Sequence, residues 1–561
     1  MKLKIKTVNI IFSLALLFTL GSCQDMLNSN SDRLMFENEH QLNSPNDSIY
    51  SFIGILSQLQ KVGERYVLLG ELRGDLMNVT ENAPVALKEI AGFISSPDNI
   101  YLDKRDYYNI INNCNYYISH VDTTITINQE RVMIPEYAAV KTIRAWTYWQ
   151  LAQIFGSVSY FEKPILSLEE SQADYPTVGI DALADMLIND LLPYQSVRQI
   201  DYGNLENEQT SRMVIPVQML LGDLYLYQNK YEAAASMYQK LMFNNGYIIS
   251  DSYTSRYTNA TGDGYFSSHF RAYRDELISE IAYGNQIQYL SSDLVGITYN
   301  DKAGLIPSKN FVDDMSAATY IYADGLGGTV TAYFEGDLRG CIKMKGGIET
   351  GDSFQSFMQT GDAEFITKYY NNAGVGGYAP ENWSNQLLTN PVYMTAIPIY
   401  RQPQLYLRYA EAVNRLGKPS FAFAVLKYGL NRNNITNPSL VNPAEVAYLP
   451  PYMDFTDAKF NNNIGTASRG RGYGIFRDQN LFVIPNLETQ QDSINWVESQ
   501  ILNELAAETA FEGNRFFDLL CVSRHRSDNP AAFMAEMVGR KLNDPALTER
   551  LKSNINEWFY K

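Results

Sequence analysis

Residue types that build disulfides and metal sites are scarce in this chain of 561 residues. Of the four cysteines, Cys23 follows an apolar N-terminal run, and Cys114, Cys341 and Cys521 lie too far apart to define a disulfide framework. We expect these three to be buried as small apolar side chains. The four histidines share no spacing typical of a zinc site, so we predict neither a metal nor any other cofactor.

Motifs of the common enzyme classes are also missing. The chain has no Gly-x-Ser-x-Gly turn, no Walker loop and no dinucleotide fingerprint after a predicted strand. Two carboxylate pairs, Asp313 with Asp314 and Glu508 with Glu512, keep a glycoside hydrolase open as an alternative, because that chemistry depends on distance in space. We nevertheless predict a protein that is not an enzyme.

Basic residues are outnumbered, with 45 Lys and Arg against 62 Asp and Glu. No local basic stripe offsets this excess, which excludes binding to a nucleic-acid backbone. Aromatic residues are plentiful by contrast. The 40 tyrosines supply flat amphipathic rings that can pack inside the protein or stack against a ligand.

The N-terminus is typical of an export signal. Three lysines at positions 2, 4 and 6 precede an apolar run from Ile10 to Leu20, which is too short to span ~30 Å of hydrocarbon as a permanent helix. The tetrapeptide that follows and ends at Cys23 resembles a bacterial lipobox, although an ordinary cleavage site beside a cysteine is an alternative. We predict a signal peptide over 1–22, lipidation of Cys23 and a lipid-anchored tether over 23–45.

Apolar periodicity predicts long helices in the first half of the chain. In one of them Ala138, Thr142, Ala145, Trp149 and Ala152 recur at alternating steps of four and three, which places them on one helical face. The glycine after Phe155 predicts its end. The predicted helical stretches cover 47–69, 105–121, 135–155 and 180–197.

Two further stretches indicate helical hairpins of the tetratricopeptide type. Five residues match that repeat in register, namely Leu221, Gly222, Tyr225, Ala234 and Tyr238. A partial second copy consists of Ala410, Ala422 and Leu426, with an inter-helix turn at Lys418, Pro419 and Ser420. Generic helical hairpins are the alternative at both places.

The amino-acid composition changes over 251–395, a region that holds 17 of the 36 glycines and 14 of the 40 tyrosines. Helical periodicity largely disappears there, so we expect long loops and a few short strands that carry the ligand site. The predicted organisation is a helical repeat scaffold over 46–250, this loop-rich region, and a C-terminal helical part over 396–561. We expect 46–561 to form one compact body of mainly α class, a tetratricopeptide-type scaffold with an irregular loop-rich region.

Seven short stretches, in order along the chain, together carry a family resemblance. They are the lipobox at Cys23, Leu69 to Asp75, Tyr108 to Asn115, Ala138 to Gly156, the hairpin over 217–244, Tyr409 to Gly417, and Phe511 to Leu519. The sequence resembles the SusD/RagB family of nutrient-binding outer-membrane lipoproteins of Bacteroidetes.

The resemblance implies a function without chemistry of its own. It implies a lipid-anchored protein at the cell surface that binds glycan, or in some branches peptide, and delivers it to a SusC-type TonB-dependent barrel. It also implies that most of the matching residues are scaffold. We expect Arg144, Glu512, Arg515 and Asp518 to hold helices together rather than touch ligand.

Family ligand contacts vary, so the predicted site residues rest on position. Aromatic faces stack on the apolar face of a pyranose, while carboxylate and amide groups bond its hydroxyls. Scarcity of Trp in the central region makes Tyr the expected stacking residue. The predicted ligand contacts are Asp75, Asn78, Tyr101, Tyr289, Tyr299 and Trp383.

Overall fold

The structure is a computed structural model, and it describes about three quarters of the chain. The described residues are 42, 44–205, 208–250, 276–283, 293–298, 302–323, 331–337, 339–342, 353–354, 356–360, 363–366, 368–369, 396–472, 475, 480–526 and 529–561.

Helices dominate the described part, as the periodicity predicts. They are α1 (Pro45–Glu71), α2 (Val85–Ala91), α3 (Arg105–His120), α4 (Ile134–Phe155), α5 (Leu168–Ser171), α6 (Ile180–Leu191), α7 (Val217–Tyr227), α8 (Tyr231–Asn245), α9 (Leu294–Thr298), α10 (Lys309–Ser316), α11 (Gln402–Arg415), α12 (Pro419–Lys427), α13 (Arg432–Ile435), α14 (Pro443–Val446), α15 (Ala467–Gly470), α16 (Gln490–Thr509), α17 (Arg515–Arg526), α18 (Pro530–Leu542) and α19 (Pro545–Ser553). Short 3-10 helices cover Ile100–Leu102, Leu192–Tyr194, Thr210–Met213, Pro451–Met453, Ala458–Phe460 and Ile555–Trp558.

The described strands are short and pair two by two, all antiparallel. They are β1 (Met77–Val79) with β9 (Leu305–Pro307), β2 (Thr126–Ile127) with β3 (Glu130–Arg131), β4 (Ser157–Ser159) with β5 (Thr177–Gly179), β6 (Asn204–Leu205) with β7 (Glu208–Gln209), β8 (Leu277–Ala282) with β16 (Ala396–Arg401), β10 (Thr319–Ala323) with β11 (Thr331–Glu335), β12 (Cys341–Ile342) with β13 (Ser353–Phe354), and β14 (Phe357–Thr360) with β15 (Ala363–Ile366). Half of the described strands lie between 276 and 366, within the region where the sequence predicts a few short strands.

Helix boundaries follow local chemistry. Helix α4 ends where predicted, at Gly156, whose φ of 72° is the left-handed conformation that glycine adopts without a Cβ penalty. The prediction of one helix over 180–197 was wrong at its C-terminal end. Helix α6 stops at Leu191 and a 3-10 turn follows, because Pro193 has no N–H to continue the α-helical ladder.

The repeat-type hairpins are present. Helices α7 and α8 pack against each other, and a Cβ added at Gly222 would lie 2.3 Å from the ring of Tyr238. The small residue is therefore required by the close approach of the two helices. Helices α11 and α12 form the second hairpin, and its Ala410, Ala422 and Leu426 are fully buried.

Apolar side chains from Leu42 to Tyr560 form one continuous buried cluster. Cys114 and Cys521 lie in it as free thiols, as the sequence predicts. Charged groups also lie in the interior and form a set that we call the buried ion network. Its members are Glu276, Asp337, Arg339, Lys368, Arg401, Arg469, Glu504, Glu508 and Glu512.

The buried ion network ties the central region to the C-terminal helices. Arg339 bonds Asp337 at 2.7 Å and Glu504 at 2.8 Å. Arg469 bonds Glu508 at 2.7 Å. Glu504 and Glu508 both lie on α16, so side chains far apart in sequence meet on one helix.

Candidate functional site

The motif residues that we expected to be scaffold do hold helices together. Arg515 on α17 donates from Nε to Asp75 Oδ1 at 2.6 Å, and Arg144 on α4 donates to Asn115 Oδ1 on α3 at 2.8 Å. Asp518 accepts from Arg408 on α11 at 3.1 Å. All three contacts are in the interior.

Asp75 is buried in the interior of the protein and does not lie at the surface. Its residue is 8% exposed, and its second oxygen accepts from Arg515 Nη2 at 2.9 Å. Burial opposes ionisation, but the guanidinium of Arg515 outweighs it and holds the pKa of Asp75 below its usual value. With both oxygens engaged, Asp75 belongs to the scaffold, which corrects its expected role beside the other predicted ligand contacts.

Asn78 lies half-buried in the short strand β1. In the strand pairing Asn78 lies opposite Ile306 of β9, and its side-chain oxygen accepts from the N–H of Val79 at 2.9 Å. Beyond β1 the Thr80 N–H donates to Gly304 O at 2.9 Å, and Gly304 N–H donates to Ile297 O at 2.8 Å. Asn78 is thereby joined through β9 to helix α9.

Tyr101 is the third predicted ligand contact that the structure describes. It sits in the 3-10 helix Ile100–Leu102, which Asn99 caps by accepting from the Tyr101 N–H at 3.0 Å. The ring is half-buried against the core, and its hydroxyl forms no hydrogen bond with any residue that the structure describes. Beside it Ile100 is 68% exposed, so the surface around the ring has an apolar part.

The charges of two carboxylates act on Tyr101. Burial raises the pKa of Tyr101 to about 12, and the charges of Glu64 and Asp293 add to the shift. Glu64 on α1 also accepts from the Asp293 N–H at 2.8 Å, which fixes the start of α9 against α1. The tyrosine therefore stays neutral at physiological pH.

A second tyrosine completes the group. Tyr283, at the end of β8, is half-buried and donates to Gln60 O at 3.1 Å. Burial, followed by the charge of Glu64, raises its pKa. We call Glu64, Tyr101, Tyr283 and Asp293 the Tyr101 face.

The Tyr101 face consists of two half-buried tyrosines and two carboxylates that are related through Glu64, and the exposed Ile100 lies next to Tyr101 in the chain. Rings of this kind stack on the C–H face of a sugar, and carboxylate oxygens accept hydrogen bonds from hydroxyl groups. No general acid–base pair is needed for such binding.

Sequence reasoning proposed Tyr101 as a ligand contact but did not propose the other three residues of the Tyr101 face. Glu64, Tyr283 and Asp293 come from three separate segments, and the sequence pattern does not bring them together. One local signal was available, because Asp293 precedes the apolar start of α9, where an acidic residue is favoured at a helix N-terminus.

The remaining predicted positions lie outside the described residues. They are Cys23, Tyr289, Tyr299 and Trp383. The segments that carry Tyr289 and Tyr299 flank the described residues 293–298, so in sequence both are within six positions of the Tyr101 face.

Neither carboxylate pair of the hydrolase alternative forms an open acid–base pair. Glu508 and Glu512 are buried and bonded to the arginines of the buried ion network, which lower the pKa of Glu508 although burial opposes this. Asp313 and Asp314 are exposed, and they form ion pairs with Lys309 at 2.9 Å and Arg540 at 3.2 Å.

The described residues contain no group of three or more His, Cys, Asp or Glu side chains arranged to hold a metal ion. Among the described helices none combines the length and apolarity that a membrane crossing requires.

Comparison with known proteins gives three concordant findings. A sequence model of the SusD family matches residues 348–521. SusD-like protein P25 of Formosa agariphila is 28% identical over 201 residues, a match that spans 32% of this chain and 37% of that relative.

Solved structures extend the likeness over most of the chain. NanU of Bacteroides fragilis superposes with a TM-score of 0.54 at 16% identity and covers 90% of this chain and 94% of its own. A SusD superfamily protein of Bacteroides thetaiotaomicron gives 0.50 at 13% identity, with 93% and 95% covered. The chain therefore matches the SusD family model over residues 348–521 and shares the helical fold of these solved structures.

Proposed function

We propose that this chain is a glycan-binding lipoprotein of the outer membrane. In this proposal it captures oligo- or polysaccharide at the cell surface, at the Tyr101 face, and delivers it to a SusC-type TonB-dependent barrel. The observation that carries the binding step is the half-buried Tyr101 ring, whose pKa is raised by burial and also by the charges of Glu64 and Asp293.

The geometry of the Tyr101 face suits a neutral sugar. The tyrosine rings supply stacking surface, and their phenol groups stay protonated because burial raises both pKa values. Glu64 and Asp293 supply acceptors for hydroxyl groups without requiring a charge on the ligand. Binding that depends on such contacts changes little with ionic strength.

A peptide ligand is the second candidate, because the two carboxylates and the net charge of −17 would attract a basic peptide. The two ligands differ in salt dependence. Attraction between charges weakens as the Debye length falls to ~8 Å at physiological ionic strength, whereas stacking does not.

Attachment and export are part of the proposal. Removal of 1–22 would take away three lysines and no acidic residue, which lowers the net charge from −17 to −20. An acidic surface does not adhere to anionic lipid by charge, so acyl chains on Cys23 would supply the anchorage.

Affinity gel electrophoresis of the purified protein against a panel of neutral and uronate-containing polysaccharides tests the proposal. We expect retardation by at least one neutral polysaccharide, at low and moderate salt alike, and no release of reducing ends over hours. Retardation by none of the panel together with salt-sensitive binding of basic peptides would favour the peptide receptor. Steady release of reducing ends would instead mean that the protein is a hydrolase.

A further inference from the structure

A cavity of about 360 Å³ lies apart from the residues of the Tyr101 face, between helices α10, α16 and α18. Its volume is at the lower end of the ~300–1,000 Å³ typical of small-molecule sites. None of the four residues of the Tyr101 face lines it. Its wall is rich in charged and amide side chains. The hydrogen bonds and ion pairs that these side chains already form determine which of them can contact a ligand.

The carboxylates of the wall are already engaged. Asp75 is held by Arg515, and Asp337 and Glu504 are held by Arg339 at 2.7 and 2.8 Å. The exposed pair of Arg540 and Asp314 closes at 3.2 Å. Acceptor capacity for a ligand is therefore low on this wall.

Arg471 differs from the other arginines of the wall, because no carboxylate of a described residue lies within 4 Å of it. Its Nε donates to Thr319 O at 3.3 Å, and its guanidinium lies 4.8 Å from the ring centre of Phe482. Its carbonyl accepts from the Ile321 N–H at 2.9 Å. The side chain is thus positioned by neighbours that leave its two terminal nitrogens without a hydrogen bond to any described residue.

A second donor on the wall also lacks a partner. The amide nitrogen of Asn310, on α10, is buried and has no hydrogen-bond partner in the described part of the chain. A buried donor without a partner costs free energy that a bound acceptor would recover. The free hydrogen-bonding groups of the cavity are therefore mainly donors.

We propose that this cavity binds a small carboxylate-bearing molecule up to the size of a monosaccharide. The planar guanidinium of Arg471 matches a carboxylate in a two-bond arrangement, and Asn310 donates to a further oxygen of the same ligand. Phe482 and Met315 supply an apolar wall. This site is independent of the glycan site proposed at the Tyr101 face.

Isothermal titration of the full chain with D-glucuronate, with D-glucose as the uncharged counterpart, tests the proposal. We expect binding of glucuronate that weakens with added salt, and weaker or no binding of glucose. Arg471→Gln should lower the glucuronate affinity at least ~10-fold, because the variant loses the charge-assisted hydrogen bonds to the ligand carboxylate.

Two controls separate the cavity from general effects. Arg550→Gln changes an arginine that is half exposed, paired with Glu557 and outside the cavity lining, so the glucuronate affinity of this variant should stay within about twofold of wild type. Asn310→Asp places a negative charge beside the ligand and should abolish binding, which decides the matter if Arg471→Gln does not fold. Absence of glucuronate binding at millimolar concentration, or equal affinity in wild type and Asn310→Asp, would overturn the proposal.

Discussion

Replacement of Glu508 by glutamine removes the charge that the buried ion network depends on most. Glu508 Oε2 accepts from Arg469 at 2.7 Å, Oε1 accepts from Arg339 at 3.1 Å, and Arg401 lies 3.8 Å away. All four side chains are at most 2% exposed. Water therefore cannot replace the lost interactions.

The expected loss of stability is large. Glutamine keeps one acceptor oxygen but turns an N–H group toward a guanidinium, and it leaves the arginines short of one negative charge. Removal of one partner of a buried ion pair costs ~3–5 kcal/mol, so we expect the free energy of unfolding to fall by about that amount. The matched control is Asp313→Asn, which breaks an exposed pair with Lys309 and should cost less than ~1 kcal/mol.

The pH dependence provides a second, independent readout. Because the arginines hold the folded-state pKa of Glu508 below 4.5 against the effect of burial, its contribution is present above pH 4.5 and is lost as pH falls through the lowered pKa. The difference between wild type and Glu508→Gln should therefore shrink in acid. Urea unfolding followed by tryptophan fluorescence at neutral and acidic pH measures both effects. A loss at neutral pH no larger than that of Asp313→Asn would refute the reasoning.

Three further predictions concern a buried acid, a helix crossing and the anchor. Glu411 is buried with no partner for either oxygen among the described residues, and burial raises its pKa. The wild-type protein therefore loses stability as pH rises above 4.5. In urea titrations Glu411→Gln should raise the free energy of unfolding by at least ~1 kcal/mol at pH 8 and change it little at pH 4. Gly222→Ala should lower the free energy of unfolding by ~1–3 kcal/mol, because the added methyl group overlaps Tyr238. Gly54 is exposed on α1, and a Cβ there would have no atom within 4 Å, so Gly54→Ala should raise the free energy of unfolding by ~0.5–1 kcal/mol. Equal effects of the two substitutions would contradict the close helix crossing. Cys23→Ala should release the protein from membrane fractions, and full retention in such fractions would count against lipidation at this position.

Local patterns in the sequence were sufficient to predict most of the scaffold. The step of three and four in α4, the glycine that ends it and the small residue at the α7–α8 crossing all act within a few residues of the chain. The 3-10 turn after α6 could also have been inferred from Pro193, whose effect is equally local.

Contacts between distant segments could not be predicted in this way. Asp75 follows a helix and looks available in sequence, but its partner Arg515 is 440 positions away. The Tyr101 face likewise combines α1, a 3-10 turn, the end of β8 and the start of α9. Only the tertiary arrangement decides which tyrosine has carboxylates beside it, and composition does not report this.

The central claim is that a sugar ring stacks on Tyr101, and calorimetric titration of a Tyr101→Ala variant tests it most directly. The ligand is the polysaccharide that retards the wild-type protein on affinity gels, and the control is Tyr448→Ala, a tyrosine that is 76% exposed and outside the Tyr101 face. Tyr101→Phe keeps the ring and removes only the hydroxyl.

We predict that Tyr101→Ala weakens binding by ~1–3 kcal/mol, a magnitude taken from aromatic stacking on nucleobases. Tyr101→Phe should retain most of the affinity, and Tyr448→Ala should bind as wild type does. Wild-type affinity in a folded Tyr101→Ala variant would contradict the account.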